Sequence, residues 1–218
     1  MVHPDIDEAL RYAGVPAPDE AMRQKMTVLA REVTAAITPK HTWKQFPLIV
    51  TDNGYRLSNT DILLSGHSAD SMLAGCSDAV LLVCTLGIAF DTLLRTREKQ
   101  DMAEAILLNG LGGALVEAVC NETEKEIAGR NPGKYLTDRF SPGYGDLPLS
   151  LQPSILQATD ALRRTGITVT PTFLMNPSKS VTAVIGLADT PQPAKIRGCS
   201  VCSLHGQCAF RKRGQTCA

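Results

Sequence analysis

RFSPGYGDLPLSLQ, residues 139–152, is the part of this chain that departs furthest from generic folding instructions. In Ser141-Pro142-Gly143-Tyr144, proline stands second and glycine third. A type II turn requires this order, because proline pre-sets φ and glycine accepts φ > 0 without a Cβ clash. The turn holds Arg139 and Tyr144 in fixed relation. Gly145 and Pro148 extend a stiff backbone poor in side chains, which a ligand can approach closely. Arg139 adds a planar fork suited to a carboxylate or phosphate. Two readings remain open on composition: a ligand loop, or an ordinary surface loop with Arg139 solvated and Tyr144 half-buried.

On either side of the loop the pattern predicts a strand over Tyr135–Phe140 and a helix over Leu151–Thr165, with Pro153 in its first turn and Gly166 after its end. Upstream, Asp5–Tyr12 reads as a short helix ended by Gly14. Asp19–Ile37 reads as a longer one, with Met22, Met26, Leu29, Val33 and Ile37 forming its core stripe. Phe46, Leu48 and Val50 alternate before an Asp52-Asn53-Gly54 hairpin turn, and Pro47 marks that first strand as a sheet edge. His67 reads as a loop residue and Ser68 as the cap of a short helix carrying Met72 and Leu73, stopped near Gly75. The six apolar residues Ala79–Cys84 predict a buried strand, which leads through Thr85-Leu86-Gly87 into a helix reaching about Thr96. That junction reads as a chain reversal, its signal for an anion site being weak.

Residues 102–128 are helical by periodicity yet carry Gly110, Gly112 and Gly113, each costing roughly 1 kcal/mol relative to alanine. Close approach by a helix or a ligand must compensate. Ile167–Met175 and Val181–Leu187 read as strands paired across an Asn176-Pro177 turn. Helices and hairpins in runs, without strict strand-helix alternation, predict an α+β fold: a largely antiparallel sheet with packed helices.

At 218 residues, 44% hydrophobic and 20% charged, the chain has the composition of one sizeable globular domain. Lys plus Arg equals Asp plus Glu at 22 each, so no global basic field draws it to nucleic acid or an anionic membrane. No run of eighteen uninterrupted apolar residues occurs and the N-terminus is acidic, so we expect no membrane segment and a cytoplasmic location. No Ser-His-Asp set, P-loop or metal-ligand histidine pair is evident, which argues against a self-contained hydrolase or kinase.

Seven cysteines divide into two groups. Cys76, Cys84 and Cys120 lie in apolar segments and read as core. Cys199, Cys202, Cys208 and Cys217 crowd the end of the chain beyond a proline-rich linker over 189–194, with Arg197, Arg211, Lys212 and Arg213 placed to offset thiolate charge. In a reducing compartment this spacing favours a metal over disulfides, either an iron–sulfur cluster or zinc, with a redox-active or unstructured tail as the remaining reading. The expected division is therefore a domain over 1–188 and a linker with a cysteine-rich tail over 189–218.

The Arg-x-x-Pro-Gly-Tyr string, the Thr85-Leu86-Gly87 turn, the glycine-bearing helix and Asn176-Pro177-Ser178-Lys179-Ser180 together resemble the S-adenosylmethionine-binding activation domain of cobalamin-dependent methionine synthase. The longer string is similar to stand-alone versions of that domain, and the likeness runs from about Asp5 to Ala188. It implies the same α+β fold and S-adenosylmethionine as ligand. Arg139 would take its methionyl carboxylate, Pro142, Gly143 and Gly145 would shape a close backbone approach, and Tyr144 would pack on the cobalamin-facing side. Phe173 is the nearest match to an aromatic at the family's ligand site, although a strand phenylalanine is ordinarily core. The family's acidic helix contact falls on Asn121 or Glu122. Larger relatives follow Pro-Gly-Tyr with His-Thr-Glu-Lys, where this chain has Leu149-Ser150-Leu151-Gln152, so roles for those residues do not transfer.

The activity so implied is accessory: support for reductive methylation of oxidised cobalamin carried by a partner, a methionine synthase or another corrinoid protein, with an electron donor upstream. A different class is also open, a binding or scaffold module with a structural zinc tail and no electron-transfer role.

Overall fold

The strand containing Ala79–Cys84 has no side reserved for water, and it takes the position such a pattern demands. The computed structural model describes residues 2–15, 17–193, 206–212 and 214. Its main sheet comprises β1 (Lys40–Thr51), β2 (Gly54–Leu57), β3 (Leu63–Leu64), β4 (Cys76–Thr85), β5 (Tyr135–Leu136) and β8 (Ser180–Ala188). The spatial order is β3-β2-β1-β4-β8-β5 and every pairing is antiparallel. A separate ribbon pairs β6 (Thr168–Val169) with β7 (Met175–Asn176). The fold is α+β with a largely antiparallel sheet, as the sequence predicts.

Two helical layers sandwich the sheet. On one face α1 (Ile6–Tyr12), α2 (Glu20–Ala36), α4 (Ile88–Gln100) and α5 (Met102–Arg130) pack on Val80, Leu82, Cys84, Ala183, Ile185 and Leu187. On the other, α3 (His67–Leu73), α6 (Gln152–Ala158) and α7 (Ala161–Thr165) cover Phe46, Leu81, Val83 and Val184. The period-two alternation of β4 and β8 thus feeds two cores, which is why both strands read as unbroken apolar runs. Carboxylate N-caps begin three of the helices: Asp5 accepts from Glu8 N at 3.0 Å, Asp19 from Met22 N at 2.8 Å and Asp101 from Ala103 N at 2.9 Å.

The glycines of α5 are explained by helix crossing. A Cβ at Gly110 would lie 2.6 Å from Ala13 N and 2.7 Å from Ala9 O, and one at Gly113 would meet the Tyr12 ring, so α1 crosses here nearly backbone to backbone. Gly112 faces the buried Phe90 of α4. By length and composition α5 would suffice to cross a bilayer, but its apolar residues are largely enclosed by α1, α4 and the sheet.

Several local expectations are corrected. Pro47 does not mark an edge. β1 pairs with β4 over Lys40–Pro47 and with β2 over Leu48–Thr51, so the proline sits where the ladder changes partner, and its missing N–H leaves the ladder whole. The predicted strand over Tyr135–Phe140 shortens to β5 plus a bridge from Phe140 to Val184. The predicted helix over Leu151–Thr165 breaks at Asp160, which adopts φ 55°, a left-handed conformation that aspartate tolerates, and whose carboxylate engages Arg163 and Arg164 of the next helix.

The expected hairpin across Asn176-Pro177 does not form. Thr182–Ala188 is buried throughout: β8 inserts between β4 and β5, which pair both its edges, and the two helical layers cover its faces. The two-residue ribbon of β6 and β7 could not supply that. Of the three cysteines expected in the core, Cys84 and Cys120 are buried, whereas Cys76 is half-buried at the start of β4.

Candidate functional site

Alternation past β5 sends adjacent side chains to opposite layers: Phe140 enters the core beneath α6, and Arg139 turns towards α5. There the guanidinium donates to Asn121 Oδ1 at 2.8 Å and forms ion pairs with Glu117 and Glu124. Only 6% of its side chain is exposed, against 38% for Glu117 and 22% for Glu124. Burial disfavours its charge, but the neighbouring Cys120 thiol and the two carboxylates hold its pKa above the ordinary arginine value. Two carboxylates to one guanidinium leave this cluster with a formal surplus of one negative charge.

Glu117, Asn121 and Glu124 recur at i, i+4 and i+7, one stripe of α5. Of the two positions offered for the family's acidic helix contact, Asn121 lies on this stripe against Arg139, while Glu122 lies about 140° round the helix from Glu117, pairs with Lys125, and borders a different cleft of ≈ 620 Å³ with Leu115, Val119 and Ile37. Sequence reading missed Glu117 and Glu124. Projecting α5 on a helical wheel exposes them, since both share the azimuth of Asn121.

The turn takes the expected form. Tyr144 N donates to Ser141 O at 3.1 Å and Gly143 has φ 92°. Gly143 N also donates to Leu147 O at 2.8 Å, with Pro142 and Leu147 buried as anchors. Tyr144 projects from the turn, 72% exposed, in place of the half-buried position an ordinary loop would give it. Gly145 has φ 56°, and a Cβ there would lie 2.3 Å from Ser68 Oγ. The helix α3 is capped from this loop: Asp146 accepts from His67 N at 2.5 Å and Ser68 N at 2.9 Å, so the cap expected of Ser68 is supplied by a residue 78 positions away. The Ser68 hydroxyl and backbone, followed by His67 N, draw the Asp146 pKa down to about 2.

Phe173 is carried by the small β6–β7 ribbon. It occupies the tight loop between β6 and β7 with φ 64°, half-buried and in neither core cluster, so it is not the strand phenylalanine expected. The Thr85-Leu86-Gly87 junction is a chain reversal whose donors are used internally: Gly87 N to Thr85 Oγ1 at 3.0 Å and Leu86 N to Lys179 O at 3.0 Å. Of the four tail cysteines, Cys199, Cys202 and Cys217 lie outside the described residues, and Cys208 is half-buried beside a helical turn over Ala209–Lys212. Among the described residues no cluster of His, Cys, Asp and Glu is disposed to hold a metal.

No protein-family model matches the chain, and no curated protein matches its sequence. Among solved structures, the crystal structure of the MetH reactivation domain bound to AdoHcy aligns with a TM-score of 0.61 at 16% identity, covering 80% of this chain and 68% of that one. The fold is that of the MetH reactivation domain. Within this fold Arg139 meets the acidic stripe of α5 just beyond the edge strand β5, while the turn that follows it is tied to α3.

The turn geometry makes a graded expectation. Gly143→Ala places a Cβ at φ 92° and 3.1 Å from Leu149 Cδ1, at a cost of roughly 1–2 kcal/mol in loop order. Tyr144→Phe removes only an exposed hydroxyl. Amide exchange at Tyr144 and Leu147 should quicken several-fold in the alanine variant and stay within about twofold of wild type in the phenylalanine variant. The reverse order would overturn the turn assignment.

Proposed function

We propose that this chain binds S-adenosylmethionine at the loop over 139–147 and supports reductive methylation of oxidised cobalamin carried by a separate methionine synthase or related corrinoid protein in the cytoplasm. The observation that carries the reading is Arg139, held beside a carboxylate stripe at the root of a glycine turn, in a fold shared with a domain crystallised with AdoHcy.

The chemistry suits a zwitterionic ligand. An α-carboxylate entering the site exchanges with one glutamate for the guanidinium fork, and the released carboxylate meets the ligand's ammonium or sulfonium charge. Glu117, the more exposed of the two, is our choice for that second role. Pro142 stiffens the turn, Gly143 and Gly145 supply its positive φ and an exposed backbone for a ligand to approach, and Tyr144 offers an exposed ring towards a partner. The chain's contribution is orientation: the sulfonium methyl is presented to a cobalt centre elsewhere, which receives one electron and the methyl group while S-adenosylhomocysteine departs. Phe173 belongs to the proposal only as the family's aromatic counterpart.

Calorimetric titration of the wild type with S-adenosylmethionine and S-adenosylhomocysteine tests the binding step, and absence of heat with both ligands at millimolar concentration rejects it. The tail over 189–218 is proposed as a separate unit, with Cys199, Cys202, Cys208 and Cys217 holding an iron–sulfur cluster that passes the electron. Zinc, which has no accessible redox change, would make the protein a binding or scaffold module instead. In Cys199→Ser/Cys202→Ser we expect ligand binding retained and reactivation of an inactivated corrinoid partner lost. A colourless, zinc-containing protein, or equal reactivation by the double variant, removes the electron-transfer role.

A further inference from the structure

The structure assigns to Asp146 the part of a positioning residue for the ligand loop: through it, the first turn of α3 holds residues 143–146 in the shape that presents Tyr144 and the glycine backbone. The inference rests on the proposed function of that loop and adds α3 to its machinery.

Gly143, Tyr144, Gly145 and Asp146 are all exposed, so burial of their own side chains does not order them. Two kinds of tie do. Within the loop, Gly143 N and Leu147 N bond to Leu147 O and Tyr144 O at 2.8 and 3.2 Å. Across to α3, the Asp146 carboxylate spans His67 N and Ser68 N, and Asp146 N returns a bond to Ser68 Oγ at 3.4 Å. The junction is shaped for this contact on both sides. A Cβ at Gly66 would fall 2.5 Å from Asp146 Oδ2, one at Gly145 would fall 2.3 Å from Ser68 Oγ, and both glycines have positive φ. The low pKa of Asp146 follows from the same contacts and keeps it a charged acceptor near neutrality.

A loop held in its binding shape before the ligand arrives loses less entropy on binding, so releasing it weakens affinity without removing any ligand contact. Asp146→Ala is expected to bind S-adenosylhomocysteine about tenfold more weakly, the scale of one or two newly mobile residues. In the ligand-free protein, amide exchange at Tyr144, Leu147, His67 and Ser68 should quicken at least tenfold while the amides of β4 and β8 keep their rates. Adding S-adenosylhomocysteine should restore protection at Tyr144 and Leu147, which a merely structural role would not produce. Asp146→Asn keeps an acceptor and should fall between, and Ser68→Ala should show a weaker form of the same pattern. If wild type binds and Asp146→Ala binds equally well with unchanged loop exchange, Asp146 has no such role. If wild type fails to bind, the functional reading of the loop falls and this role falls with it.

Discussion

Arg139→Ala should lose both ligand affinity and stability. Binding of S-adenosylhomocysteine is expected to weaken by roughly 1.5–3 kcal/mol, about 10- to 150-fold, the range for a charge-assisted hydrogen bond. Stability should fall as well, because Glu117 and Glu124 then face each other across the space the guanidinium filled. Breaking a fully buried pair costs about 3–5 kcal/mol; with 38% of Glu117 in water we expect about 2–3. Arg139→Lys separates the two effects. It keeps the charge between the carboxylates and loses the fork, so it should recover most of the stability and little of the affinity. Denaturant midpoints and titration on the three proteins decide the matter. Undiminished affinity in Arg139→Ala would remove the carboxylate clamp.

Gly110→Ala is expected to be strongly destabilising. The atoms it meets, Ala13 N and Ala9 O, are helix backbone and cannot rotate away, so α1 must shift on α5. Overpacking of this kind costs about 2–3 kcal/mol, which for a chain of this length lowers the melting temperature by about 5–10 °C. Gly129→Ala is the matched control near the other end of the same helix: no atom lies within 4 Å of its Cβ, and helix propensity alone should raise stability by up to about 1 kcal/mol. Thermal unfolding should give changes of opposite sign. Equal effects at the two positions would mean that the crossing at Gly110 is looser than its distances indicate.

Local chemistry was legible in the residues themselves. Pro142 and Gly143 specify their turn because φ is constrained within each residue, and the structure adopts it. Asp5 and Asp19 stand where α1 and α2 were expected to start, and each caps its helix through a bond that spans only three residues. The glycines of α5 signalled a close neighbour because their cost in an isolated helix demands one. Contacts between distant parts of the chain had no such signal. Only the tertiary structure gave Asp146 to α3 in place of Ser68, and let Pro47 stand at a change of partner inside the sheet. Only it passed β8 over its sequence neighbours to lie between β4 and β5. The partners of Arg139 belong to the same class. Sequence identifies a guanidinium at the root of a turn, but Glu117 and Glu124 reach it because two layers of side chains pack α5 over the sheet at one height and one rotation, and that is decided by the packing of the whole core.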